Sequence, residues 1–98
     1  MDLKLALKVN DLDNVATIFA SGLTAGMEVE MRDKKGHSER MTILSNVPYG
    51  HKIAIRDISK GEAVTKYGEA LGAATSDIKK GDHVHVHNMD SMRGRGDL

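Results

Sequence analysis

A chain of 98 residues with only three aromatic side chains holds one domain and a modest core of Val, Ile, Leu, Met and Ala. Fourteen basic residues balance fourteen acidic ones, so there is no global field to draw in nucleic acid or an anionic membrane. Cysteine is absent, which excludes disulfides, thiolate catalysis and thiolate metal sites, and a bridge-free domain fits a reducing cytoplasm. No apolar run approaches the ~20 residues that span a bilayer, and residues 1–9 are too short and too charged for a signal peptide.

In chain order, residues 4–9 alternate imperfectly and read as a first strand. Residues 14–20 fit a strand or a short helix. Asn10, Asp11 and Asp13 as N-cap candidates, with Gly22 to close, tilt the expectation to a short helix or irregular turn. Residues 27–32 and 38–44 read as a hairpin across Asp33-Lys34-Lys35-Gly36. Asn46-Val47-Pro48-Tyr49-Gly50 is punctuated as a loop, and residues 52–55 read as a strand. A strand over 64–67, a turn at Gly68 and a run over 69–74 follow. Residues 83–87 read as a strand with His83, His85 and His87 on one face and Val84 and Val86 on the other. The domain is expected over residues 1–92, with a flexible Arg/Gly tail over 93–98.

One phrase recurs. Asp57-Ile58-x-Lys60-Gly61-Glu62-x-Val64 is repeated twenty residues later as Asp77-Ile78-x-Lys80-Gly81-Asp82-x-Val84. A fainter copy runs Leu23-x-x-Gly26-x-x-Val29. In each, an apolar residue plugs the core, a Gly takes positive φ in a tight turn, and a strand follows with Val inward. The copies are too few and too uneven for a solenoid, so the expected fold is a mainly β unit of hairpins and pseudo-repeated turn–strand units.

Together these motifs carry a resemblance. Gly50-His51-Lys52-Ile53-Ala54, the Asp57 phrase, Lys66-Tyr67-Gly68, and Gly81-Asp82-His83-Val84-His85-Val86-His87-Asn88 resemble a SAF domain. More narrowly, they resemble the SAF domain of the altronate/galactarate dehydratase family, most strongly over residues 47–97. The resemblance implies a β-clip fold and a large catalytic subunit as partner. It implies dehydration of a sugar acid to a 2-keto-3-deoxy acid, with a divalent metal, iron(II) or manganese(II), as cofactor. The two-subunit sulfolactate sulfo-lyase, which eliminates bisulfite, is a close relative within the resemblance. A non-catalytic binding or assembly module is the competing reading, and the isolated domain could self-associate.

On a strand, side chains two apart lie ~6–7 Å apart, so two imidazoles from one strand can converge on a cation and a third must come from elsewhere. The expected catalytic residues are His85, His87 and His51, with His85 and His87 as metal ligands. Asn88, Lys66 and Arg93 are the candidate substrate contacts. His83 reads as a solvated neighbour of the turn, and His37 as an exposed hairpin residue. Two Arg-Gly steps with almost no aromatics speak against RNA binding.

Overall fold

The computed structural model describes residues 3–91, so the expected tail and Arg93 lie outside the described residues. Nine strands and no helix make up the described fold, the mainly β class that the sequence requires. The strands are β1 (Lys4–Leu7), β2 (Val15–Ile18), β3 (Glu28–Arg32), β4 (Ser38–Thr42), β5 (Lys52–Ala54), β6 (Ala63–Lys66), β7 (Glu69–Ala74), β8 (His83–Val84) and β9 (Met89–Ser91). A six-stranded sheet runs in the order β4-β3-β1-β2-β5-β8, and a three-stranded sheet in the order β6-β7-β9. Only β1 and β3 pair in parallel within the first sheet.

Residues 14–20 correct the helix expectation. Val15–Ile18 is a central strand, paired with β1 on one side and β5 on the other, and all four residues are buried. β-Branched Val15, Thr17 and Ile18 favour this environment. Ala16 and Ile18 enter one core with Val29, Met41 and Ile53. Val15 enters a second core with Ile58, Val64, Ile78 and Val84. Of the helix-cap candidates, Asn10 accepts from the nearby Leu12 N–H, while Asp11 pairs with Lys35 and Asp13 bonds across the fold, as does the neighbouring Asn14. Asn14 is buried; its Oδ1 accepts from the Thr65 N–H at 2.8 Å, and its Nδ2 donates to the Ala63 carbonyl at 2.8 Å. Asp13 Oδ1 accepts from the Gly68 N–H.

The repeated phrase has four copies rather than three. Leu23, Val47, Ile58 and Ile78 each begin one, and the glycine three residues on has positive φ in all four: Gly26 +96°, Gly50 +83°, Gly61 +87° and Gly81 +94°. A strand leaves each turn. The copy at Val47-Pro48-Tyr49-Gly50 was hidden as an ordinary loop because it lacks the Lys-Gly-acid signature. The copies pair two by two through single bridges, Leu23 with Val47 and Ile58 with Ile78. The first pair plugs one core and the second pair the other.

The strand expected over 83–87 is also corrected. Only His83 and Val84 pair with β5; residues 85–88 turn away, and Met89–Ser91 then joins β7. Asn88 makes the turn. Its Oδ1 accepts from the His85 N–H at 3.0 Å and its Nδ2 donates to the His83 carbonyl at 2.9 Å. Val86 is consequently exposed rather than inward.

Candidate functional site

Cross-strand register collects the histidines. β5 and β8 pair Lys52 with Val84 and Ile53 with His83. Carried one residue further, the same register sets His51 opposite His85, and their rings stack with centroids 4.3 Å apart. His51 and His83 are diagonal neighbours; Nδ1 of His51 and Nε2 of His83 are hydrogen-bonded at 2.9 Å. One coordinating atom from each of His51, His83 and His85 lies within 4.8 Å of the others. The Asn88 turn bends the chain just enough to bring His87 back over His83, with centroids 5.1 Å apart, so His87 stands beside this group of three. His83, read from the sequence as a bystander, is at the centre.

Of the cluster, His83 lines an open cleft of about 370 Å³, together with Gly22, Leu23, Thr24, Asn46, Val47 and Pro48. Burial first, and then the neighbouring His87, His51, His85 and Lys52, push the pKa of His83 down to about 4. Burial, His51, Lys52 and His87 lower that of His85. Both rings are therefore neutral at neutral pH, the form in which imidazole binds a metal ion.

The donor set fits a transition metal. Neighbouring ligands on an ion held at ~2.1 Å lie ~3 Å apart, close to the His51–His83 nitrogen separation. An all-imidazole set suits iron or zinc better than manganese, which prefers oxygen ligands.

The other sequence candidates fall differently. Lys66 ends β6, its ammonium 4.9 Å from the centroid of the Tyr67 ring. Asn88 is buried with its amide engaged by the backbone. His37 is exposed and pairs with Asp33 in the β3–β4 hairpin. Lys52 was missed by the sequence reading. It is half-buried, and burial followed by repulsion from Lys66 lowers its pKa. Its position directly after His51, within Gly50-His51-Lys52, was the available signal.

The chain matches the family described as altronate/galactarate dehydratase SAF domain over residues 4–92. It is 43% identical over 82 residues to the altronate dehydratase of Escherichia coli K12, covering 84% of this chain and 15% of that protein. It is 34% identical over 87 residues to (2R)-sulfolactate sulfo-lyase subunit alpha of Chromohalobacter salexigens, covering 87% of this chain and 93% of that one. It is 33% identical over 79 residues to the galactarate dehydratase (L-threo-forming) of E. coli K12, covering 80% of this chain and 14% of that protein. The chain thus spans about a seventh of the dehydratases and nearly all of the sulfo-lyase subunit. No helix among the described residues is long and apolar enough to cross a membrane.

Proposed function

Because the chain belongs to the SAF-domain family of altronate and galactarate dehydratases, we propose that it is the small component of a lyase, and that its histidines form part of an active site completed by a larger subunit. The reaction is removal of the proton α to a carboxylate and departure of a β-hydroxyl as water, giving an enol that becomes a 2-keto-3-deoxy acid. The observation that carries this reading is the convergence of His51, His83 and His85, of which His83 also lines the cleft.

His51, His83 and His85 would hold an iron(II) or manganese(II) ion, with iron the better match to three imidazoles. When bound, the ion supplies Lewis acidity toward the substrate carboxylate. The chain's own residues orient and exchange protons. Asn88 fixes the His83–His85 backbone, and exposed His87 is the imidazole free to accept the α-proton. Lys66 and Arg93 offer cations to the acid groups of the substrate. The leaving hydroxyl is protonated from the larger subunit. The expected compartment is the cytoplasm.

A second reading has its own support: the substrate is sulfolactate and the leaving group bisulfite. It is supported by the 34% identity over 87 residues to (2R)-sulfolactate sulfo-lyase subunit alpha of Chromohalobacter salexigens.

Anaerobic calorimetric titration of iron(II), with a His83→Ala/His85→Ala variant alongside, tests the site. The expected result is binding that weakens ~100-fold in the variant, no turnover by the chain alone, and turnover of altronate, galactarate or sulfolactate once the larger subunit is added. Full activity of the reconstituted variant would refute a catalytic contribution from these histidines.

A further inference from the structure

We propose that the Leu23–Val47 turn pair, together with Phe19 beside it, is the face on which the larger subunit docks. The proposal rests on the lyase reading above and adds to it where that subunit sits.

Three observations carry it. First, the four copies of the turn share one backbone and differ at their outer positions. Just before the glycine stand Ala25 and Tyr49 in the Leu23–Val47 pair, against Lys60 and Lys80 in the Ile58–Ile78 pair. Just after it stand Met27 and His51, against Glu62 and Asp82. In the Ile58 copy the acid also ties the turn, Glu62 Oε1 accepting from the Ser59 N–H at 3.0 Å. Met27 makes the matching contact with a weak acceptor, its Sδ taking the Thr24 N–H at 3.3 Å. In the Val47 copy Pro48 has no N–H to donate, which releases position 51 for an imidazole of the cluster. The turn thus folds with charged side chains at these positions, and its geometry does not call for apolar ones.

Second, large apolar side chains stand in water here. The chain has three aromatic residues, and none enters either core. Two of them, Phe19 and Tyr49, meet edge to face with centroids 6.3 Å apart, yet are 45% and 61% exposed. Met27 is exposed as well, bonded to cleft-lining Thr24. Third, charge is missing. Residues 14–27 and 41–50 contain no Lys, Arg, Asp or Glu, although these make up 29% of the chain. Exposed aromatics and Met without charged neighbours are the composition of an interface core. The occupant follows from what adjoins the face. Tyr49 is two residues from His51, and Pro48 lines the cleft with His83, so a body seated here also reaches the histidine cluster. A second copy seated symmetrically would set cluster against cluster and shut substrate out of both. A larger subunit covers the surface once and brings the groups that the site lacks.

The test mixes the full chain with the larger subunit of the same lyase, purified separately. The variant Met27→Glu/Tyr49→Lys carries at these positions the residue types of Glu62 and Lys60, so it should fold and melt as the wild type does. Calorimetry should show the larger subunit binding ~30-fold more weakly to it. Tyr49→Ala, which keeps the test decisive if the double variant folds poorly, should weaken binding ~10-fold. Lys60→Ala, at the matching position of the other pair, should stay within ~2-fold. Hydrogen exchange in the mixture should slow at residues 19–27 and 46–51 and not at 57–62 or 77–82. No binding by the wild-type chain, wild-type affinity in both Tyr49 variants, or protection at 57–62 and 77–82 instead would overturn the docking face. So would a dimer of the chain alone, seen by sedimentation and dissolved by Met27→Glu/Tyr49→Lys, which would assign the face to a second copy. Wild-type affinity in the variants with turnover of a sugar acid overturns the docking face and leaves the lyase reading standing. Weakened binding in the variants with no turnover of any acid by the wild-type pair does the reverse.

Discussion

The two bridged turn pairs share one backbone plan and differ in how they are closed. In the Ile58–Ile78 pair the closure is reciprocal: Asp77 Oδ1 accepts from the Lys60 N–H and Asp57 Oδ1 from the Lys80 N–H, both at 2.9 Å. In the Leu23–Val47 pair only one half survives. Asn46 Oδ1 accepts from the Ala25 N–H at 3.1 Å, and the residue matching Asp57 and Asp77 on the other side is Gly22, which has no side chain to reach back. The cleft opens there, lined by Gly22, Leu23, Asn46, Val47 and His83. One half of a pseudo-symmetric fold is tied shut by side chains from both sides, and the other is left open beside the histidine cluster. The histidines sit on or beside strands β5 and β8, which leave one turn of each pair and become neighbours only in the folded sheet.

The comparison can be broken most severely at Gly81. A Cβ there would meet the Thr42 carbonyl oxygen at 2.3 Å, while one at Gly61 would meet nothing within 4 Å. In urea denaturation, Gly81→Ala should cost roughly 3–5 kcal/mol or prevent folding, because backbone clash adds to positive-φ strain. Gly61→Ala should cost only about 1–2 kcal/mol, from the strain alone. Equal costs would show that the two turns are not packed as described.

Asn88→Ala comes next. Removing two buried hydrogen bonds should cost about 2–3 kcal/mol and uncouple the His85 and His87 rings from His83, seen as altered imidazole NMR shifts. The Asp57→Ala/Asp77→Ala double variant should lose about 2 kcal/mol against about 1 kcal/mol for Asn46→Ala, as reciprocal closure requires. If the two cost the same, the asymmetry has no energetic content.

Acid should act through the histidine half. The unfolded His83 side chain titrates near 6.5 and the folded one near 4, so between these values the unfolded state holds more protons. Stability from this group is therefore complete above pH 6.5 and is lost as pH falls toward 4. With a chelator present, scanning calorimetry should show the melting temperature falling by ~a few degrees from pH 7 to pH 5, and falling less in His83→Gln. The smallest expected effect is a gain. Tyr67→Asn places a residue suited to positive φ in the β6–β7 turn and should add ~0.5 kcal/mol in urea denaturation.

Much of the fold was legible. The hairpin over β3 and β4, the strands around Lys52 and Val64, and three of four turn phrases follow from glycine spacing and alternation. Residues 14–20 misled because Asp13 is a good helix cap locally, whereas here Asp13 and the neighbouring Asn14 bond to Gly68, Ala63 and Thr65 about fifty residues away. Residues 83–87 misled because alternation says nothing about where pairing stops. The Asn88 side chain, bonding back to the backbone, ends it after Val84.

The sequence by itself determined a small, cysteine-free, mainly β domain. It also carried the motifs of its family, because composition and turn chemistry are local properties. Only the tertiary structure decided that His51 and His83 touch, that Lys52 faces Thr17 across two strands, and that the cleft opens beside Gly22. These depend on strand register, which is set when two separate cores are buried at once, and no short stretch of chain contains that information.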